Sequence, residues 1–129
     1  MRAMFAIICC WVLIVGGGCH REVESSTPTD FPVNLSVPEQ QRPKTLEQAV
    51  DMLLSAMPPE SMVKFAATSN NDLILYHHGL GTLIRNEYGL WKGNNELLTN
   101  CHAKVPDDAS MVIIKAAWQK ARTKSPAQR

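Results

Sequence analysis

Glycine and proline are distributed very unevenly along this chain. Three of its seven glycines occupy residues 16–18, and the other four lie between residues 79 and 93. Four of its eight prolines lie between residues 20 and 43. Because both residue types disfavour helix interiors, this distribution separates a leader and a tether from a C-terminal domain with a glycine-rich centre.

Residues 1–19 have the pattern of an export signal. Arg2 supplies a positive charge, residues 5–15 form an eleven-residue apolar run, and three glycines precede Cys19. A membrane-spanning helix needs about 20 apolar residues, and His20 and Arg21 end this run too early for that. We therefore expect a signal peptide and not a membrane span.

A cysteine directly after small residues resembles the lipobox of bacterial lipoproteins, in which that cysteine is acylated and becomes the new N-terminus. Gly17 and Gly18 fit this pattern, whereas Gly16 stands where an aliphatic residue is usual. The expectation is an exported lipoprotein, anchored in a membrane of the bacterial envelope through a lipid on Cys19. The alternative is an ordinary cleaved signal, which would leave a soluble periplasmic or secreted protein.

Removal of the leader simplifies the charge and the cysteine content. The full chain has 13 basic and 12 acidic residues. Loss of Arg2 leaves 12 of each, so no long-range field favours a polyanion and no nucleic-acid partner is expected. Cys9 and Cys10 leave with the leader. Cys101 then lacks the partners of a disulfide scaffold, and it is expected to be a half-buried apolar residue instead of a nucleophile.

Residues 20–43 have the composition of a linker, with four prolines, five Ser/Thr residues and no glycine. A flexible tether of this length would have a root-mean-square span of about 25 to 30 Å. The alternation of Phe31, Val33, Leu35 and Val37 leaves a second possibility. This part could instead be an edge strand or a strap across the domain.

Residues 44–124 are expected to form a small all-α single domain of about four to five short helices, followed by a tail at 125–129. Thr45 and Gln48 form a capping box before an amphipathic helix that Pro58 and Pro59 end. Further helices are predicted at residues 60–67, 73–86 and 96–100. A long last helix follows, with Asp107 as its N-cap and Ser110 as a cap element.

Gly79 and Gly81 lie within the predicted helix 73–86, and each costs about 1 kcal/mol relative to alanine. Two such costs in one turn indicate the close approach of another backbone, a break in the helix or room for a ligand. If that helix is continuous, His78, Gly81 and Arg85 share one face, and the notch at Gly81 would suit an anion or a carboxylate. Alternatively, Gly81 permits close helix packing while Arg85 pairs with Asp107 or Asp108.

One of the histidines is expected to pack near Tyr76 or Tyr88 in the core, and Trp91 is expected to be a core residue as well. Adjacent His77 and His78 would point about 100° apart on a helix, and His102 stands alone. We therefore expect no metal site and no cofactor. Leu90 and Trp91 are expected to return the chain to the core after the turn at Gly89.

Two blocks of this sequence, HHGLGTLIRNEYGLW and PDDASMVII, together with NNELL, resemble a bacterial family of small domains of unknown function. The resemblance covers about residues 44–122 and implies one compact domain without an assigned activity. The residues that match the family pattern are His77, Gly79, Gly81, Arg85, Asn86, Trp91, Asp107, Asp108 and Ser110.

The leading hypothesis is an envelope module that is more plausibly a binding protein than an enzyme. Its partner would be an envelope protein or a small polar or anionic ligand. The candidate binding residues are His77, Gly81, Arg85, Asn86, Trp91 and Asp107. The alternative is a small hydrolase or transferase in which His77 is the base, Arg85 holds an anion and Asp108 orients the base.

Overall fold

The computed structural model describes residues 32–124, and every regular element within them is a helix. Five are α-helices: α1 (Leu46–Ala56), α2 (Pro59–Ala67), α3 (Leu80–Glu87), α4 (Asn95–Asn100) and α5 (Pro106–Lys124). Three short 3-10 helices cover Glu39–Gln41, Asn71–Tyr76 and Leu90–Lys92. The predicted all-α fold is confirmed. The predicted leader, 1–19, and the tail, 125–129, lie outside the described residues.

The start of α1 is fixed by side chains from two parts of the sequence. The Thr45 hydroxyl accepts a hydrogen bond from the Gln48 N–H, and the Gln48 side chain accepts one from the Lys44 N–H. Asn100, at the end of α4, accepts a third from the Leu46 N–H at 2.7 Å. These bonds satisfy N–H groups that have no partner within the helix. The predicted capping pair is confirmed, and α4 is joined to α1.

Helix α5 is the centre of the core and packs against α1, α2 and α3. Its buried residues are Ala109, Ser110, Ile113, Ile114, Ala117, Trp118 and Ala121. The Trp118 indole N–H donates to the Thr68 carbonyl oxygen at 2.9 Å, and Lys120 pairs with Asp51 of α1 at 2.6 Å. The three-and-four spacing of small and branched side chains lets the other helices approach this one closely.

The expected helix over residues 73–86 is divided in the structure. A 3-10 helix ends at Tyr76, residues 77–79 form a turn, and α3 begins at Leu80. Gly79 has φ −80° and ψ −83°, outside the helical range. The break has a structural use, since it leaves the His77 carbonyl oxygen free to accept a hydrogen bond from Arg85 at 3.4 Å.

The described part of the predicted linker is a strap that packs on the domain. Leu35 and Val37 are buried in the common core, although they form no strand. The Val37 N–H donates to the Glu87 carboxylate at 3.1 Å, which ties the strap to the end of α3. The alternation of apolar residues therefore marks a strap here. Phe31 lies outside the described residues.

Two local expectations are wrong. Helix α5 begins at Pro106, so Asp107 lies in its first turn and is not the N-cap. Trp91 is 58% exposed and not part of the core, whereas its neighbour Leu90 is buried. Leu90 and Trp91 share a short 3-10 turn, which directs one side chain inward and the other outward.

Within residues 32–124, no helix has the length and apolar character needed to cross a membrane.

Candidate functional site

Arg85 lies near the end of α3 and is almost completely buried beneath the first turn of α5. Its side chain is 7% exposed. One terminal nitrogen, Nη1, lies 3.0 Å from both the Ser110 hydroxyl oxygen and a carboxylate oxygen of Asp107. The other, Nη2, donates to Thr82 Oγ1 at 2.9 Å and to the His77 carbonyl oxygen. We call Arg85, Asp107, Ser110, Thr82 and His77 the Arg85 cluster.

The first turn of α5 is arranged to receive this charge. Ser110 donates its hydroxyl proton to the Asp107 carbonyl oxygen at 2.7 Å, so its lone pairs remain available to the Arg85 guanidinium. The Asp107 carboxylate also lies at the positive end of the helix dipole. Ser110 and Asp107 therefore serve both their own helix and its contact with α3.

Gly81 makes room for the guanidinium. A Cβ atom at this position would lie 3.1 Å from Arg85 Nη1 and 3.5 Å from Ser110 Oγ. The predicted notch therefore exists, but the Arg85 side chain fills it. This placement favours the interpretation in which Gly81 permits close packing.

His77 borders the cluster on its exposed side. Its Nε2 lies 3.7 Å from the Asp107 carboxylate, and its Nδ1 is buried without a hydrogen-bond partner among the described residues. The ring meets His78 edge to face, with centroids 5.0 Å apart. The His77 ring is thus close to the Arg85–Asp107 pair, but its 3.7 Å distance to Asp107 is too long for a hydrogen bond, and His77 is joined to Arg85 through its backbone carbonyl.

The structure brings together His77, Gly81, Arg85 and Asp107 but not the other candidates. Asn86 and Asp108 are exposed. Among residues 32–124, neither has a hydrogen bond or an ion pair to this cluster. The three residues of the catalytic alternative, His77, Arg85 and Asp108, are therefore not brought together in the structure. Asp107, and not Asp108, lies beside His77 and Arg85.

Trp91 belongs to a separate surface, formed by the turn between α3 and α4. Gly89 and Gly93 flank its 3-10 helix with φ values of 68° and 83°, a conformation that glycine adopts at little cost. The Asn94 amide donates to the Tyr88 and Pro43 carbonyl oxygens at 2.9 Å each. This turn, residues 88–94, holds an exposed indole on a well-bonded backbone, and we call it the Trp91 turn.

Comparison with known proteins identifies the family of this domain. A model of the family described as "Domain of unknown function (DUF6794)" matches residues 42–121. The chain belongs to the DUF6794 family. No curated protein and no solved structure matches it. The matched range begins at Arg42, near the end of the strap, and ends within α5, so the family match contains both the Arg85 cluster and the Trp91 turn.

In this DUF6794 domain the hydrogen-bonding capacity of Arg85 is largely used by the protein itself. Both terminal nitrogens are bonded to α3, α5 or the turn at His77, and Nε alone lacks a partner among the described residues. An incoming anion would have to displace Asp107 or Ser110 from the guanidinium. The arrangement therefore suits a clamp between two helices better than an open anion site.

The surface grooves of the DUF6794 domain include two that lie away from the cluster. One, of about 710 Å³, is lined by Lys44, Asn95, Glu96, Thr99, Asn100 and His102. The other is lined by residues 40–45 with Glu47, Gln48, Asp51 and Met52 of α1. Within residues 32–124, no three His, Cys, Asp or Glu side chains are grouped as metal ligands. Neither groove contains His77, Arg85 or Asp107.

Cys101 ends α4 and is buried in the core of the DUF6794 domain. Burial raises the pKa of its thiol from 9.0 to about 11. A thiol with that pKa is almost entirely protonated near neutral pH and is a poor nucleophile. Its environment supports the apolar role expected from the sequence.

Sequence reasoning missed the role of Arg42. Its side chain packs against Gly89, where a Cβ atom would lie 2.7 Å from Arg42 Cδ. It also pairs with Glu39 at 3.3 Å. The available signal was Gly89 itself, since glycine is the usual residue where the backbone takes a positive φ or is closely approached by another group. Nothing in the sequence pointed to a strap arginine as that group.

Proposed function

We propose that this chain is an exported bacterial lipoprotein whose helical domain is an interaction module of the cell envelope, and not an enzyme. The observation that carries the proposal is the N-terminal pattern of Arg2, eleven apolar residues and Gly17-Gly18-Cys19. An h-region of that length is too short to anchor a protein, whereas several acyl chains on one cysteine anchor it stably.

The geometry of the Arg85 cluster supports the non-enzymatic part of the proposal. A catalytic cleft requires its acid, base and anion-binding groups to meet where a substrate can enter. Here the Arg85 side chain is 7% exposed and bonded to Asp107, while Asp108 stands apart. These contacts disfavour the hydrolase or transferase alternative, which would need Arg85 free to hold an anion.

The surface available for interaction lies away from the Arg85 cluster, at another of the candidate binding residues. Of the proposed binding residues, Trp91 has a large exposed apolar side chain. Tryptophan is enriched at binding surfaces because it combines a large apolar area with an N–H donor. The interaction module is therefore proposed to act through the Trp91 turn, while the Arg85 cluster keeps α3 and α5 in place.

The lipid anchor is tested by metabolic labelling with palmitate in bacteria that express the full chain. The wild type and Cys101→Ala should be labelled and recovered with membranes. Cys19→Ala should lose the label. Cys101→Ala is the matched control because it removes the other cysteine of the predicted mature chain.

Two results would contradict this part of the proposal. Undiminished labelling of Cys19→Ala would rule out Cys19 as the acylated residue. An unlabelled wild type found in the soluble periplasmic fraction would favour the ordinary cleaved signal instead.

A further inference from the structure

The last part of the strap, residues 37–43, lies against the Trp91 turn and the end of α3. The strap contacts both ends of this turn and the residue before it: Val37 bonds to Glu87, the Arg42 side chain lies on Gly89, and the Pro43 carbonyl accepts from Asn94. An anchor on the N-terminal side is therefore connected to the helices through a segment that lies on this face of the domain.

The strap also shortens the free connection to the proposed anchor. Twelve residues, 20–31, separate Cys19 from the first described residue, Pro32. Even fully extended, such a segment spans at most about 45 Å. A domain of this size is about 30 Å across. The domain would therefore stay within one or two of its own diameters of the bilayer, at a high effective concentration of lipid.

The turn has the side chains of a bilayer interface. Trp91 is 58% exposed, and the adjacent Lys92 is exposed and has no ion pair among the described residues. The other two cations near the turn, Arg42 and Lys44, are paired with Glu39 and Glu96. Tryptophan favours the headgroup level of a membrane, where a neighbouring lysine can reach lipid phosphates.

We propose that the Trp91 turn docks the domain on the bilayer that holds its lipid anchor, with the Trp91 indole in the headgroup region and Lys92 at lipid phosphates. This inference rests on the proposed lipidation of Cys19 and names the bilayer as the partner of the interaction surface. Buried Leu90 and the two glycines with positive φ hold the indole outward before any lipid is met, so docking requires little reordering.

The test measures contact between tryptophan and lipid. Lipidated protein purified from membranes is reconstituted into vesicles of phosphatidylcholine with a minority of phosphatidylglycerol, with and without brominated acyl chains that quench tryptophan on contact. After loss of the leader two tryptophans remain, and Trp118 is buried. The wild type should lose up to about half of its emission in brominated vesicles. Trp91→Ala should lose little, because only Trp118 emission remains.

A moved tryptophan is the matched control. Val63 on α2 is 59% exposed, which is nearly the exposure of Trp91. In the double variant Val63→Trp with Trp91→Phe, phenylalanine keeps an apolar side chain on the turn while the fluorophore lies on another helix. This variant should escape quenching. Circular dichroism melting checks that each variant is folded, and both changed positions are exposed.

Three results would overturn the docking. The first is membrane-held wild type that is not quenched, and the second is equal quenching of the Val63→Trp variant, which would mean that the domain has no preferred orientation. The third is a concentration-dependent dimer in lipid-free detergent that shields Trp91 from iodide, which would make a second copy the occupant.

Failure of lipidation is distinguishable from failure of docking. If palmitate labelling shows no acyl group at Cys19, the mature chain is coupled through that thiol to a maleimide lipid and the quenching is repeated. The buried Cys101 thiol, whose pKa is raised, should react slowly under these conditions. Quenching of Trp91 would then support the docking surface although the proposed natural anchor had failed, and its absence would overturn it.

Discussion

Arg85 is a full positive charge held under the first turn of a helix, where water reaches it poorly. Such a charge is tolerated because Asp107 supplies the opposite charge and three neutral oxygens accept hydrogen bonds from its terminal nitrogens, so that only the Nε–H lacks a partner among the described residues. Desolvation makes a buried pair of this kind a modest source of net stability, but losing one partner is costly. The value of the cluster is therefore specificity: it fixes how α3 meets α5.

Asp107→Asn should lower the free energy of unfolding by about 2 kcal/mol, because it removes the charged partner of a buried guanidinium. The cost stays below that of a fully buried pair, since Asp107 is 47% exposed and water can partly compensate. Urea unfolding followed by circular dichroism measures it. Asp108→Asn removes the exposed neighbouring carboxylate and should change stability by less than about 0.5 kcal/mol. Equal effects at the two positions would mean that Asp107 does not stabilise Arg85.

The sequence indicated that Arg85 could pair with an acid of the last helix, but it did not show which one. Arg85 with Asp107 or Asp108 was one of two interpretations, and both acids are adjacent in the chain. The choice depends on which face of α5 is turned toward α3, because adjacent residues on a helix point about 100° apart. In the structure that face includes Asp107 and Ser110, which contact the guanidinium, while Asp108 is exposed. The rotation of α5 about its own axis results from how all the helices pack.

The Trp91 turn is an element whose shape depends on two glycines in different surroundings. Both Gly89 and Gly93 have positive φ, which costs other residues about 1 to 2 kcal/mol. Beside Gly89 the Arg42 side chain fills the space of a Cβ, whereas nothing lies within 4 Å of such an atom at Gly93. The two positions therefore separate backbone strain from a steric clash.

Gly93→Ala should cost about 1 kcal/mol and Gly89→Ala about 3 kcal/mol, because only the second adds a clash to the backbone strain. Thermal or urea unfolding gives both values. Arg42→Ala in the Gly89→Ala background should bring the cost of the Gly89 change down toward that of Gly93→Ala. If the two single variants cost the same, Arg42 does not rest on Gly89 in solution.

The helices with regular apolar spacing were predicted from sequence, and the irregular elements were not. Helices α1, α2, α4 and α5 follow the expected segments to within one or two residues. A break near Gly79 and Gly81 was one of the alternatives left open, because the apolar spacing continues across the break between Tyr76 and Leu80 and does not distinguish it from a continuous helix. Trp91 was assigned to the core because hydrophobicity predicts burial, but the direction of a side chain in a short turn depends on backbone angles that composition does not specify.

For the whole molecule, two buried ionisable groups should make the folded state less stable at alkaline pH. Burial raises the pKa of the Cys101 thiol to about 11 and also raises the pKa of the Tyr88 hydroxyl, which donates to the Ala49 carbonyl oxygen. Both groups bind their proton more tightly in the folded state. Their contribution to stability is therefore complete below the unfolded pKa and declines as pH rises above it.

The free energy of unfolding should accordingly fall between about pH 9 and pH 11, by at most about 1.4 kcal/mol per pH unit from Cys101 alone. Urea titrations at several pH values measure this slope. Cys101→Ala should flatten part of it while leaving Tyr88 to titrate. If the wild type and Cys101→Ala have parallel profiles, the Cys101 thiol is not perturbed by burial as described.

Helix α5 is the last helix among residues 32–124, and it is also the one against which α1, α2 and α3 pack. Until α5 has left the ribosome, the apolar faces of the earlier helices have no common core to pack into. The domain therefore cannot complete its folding before synthesis of α5 is finished. An export channel accepts unfolded chains. For the export proposed above, completing the core from the C-terminal end would keep the chain unfolded, and therefore able to enter the channel, until α5 has been synthesised.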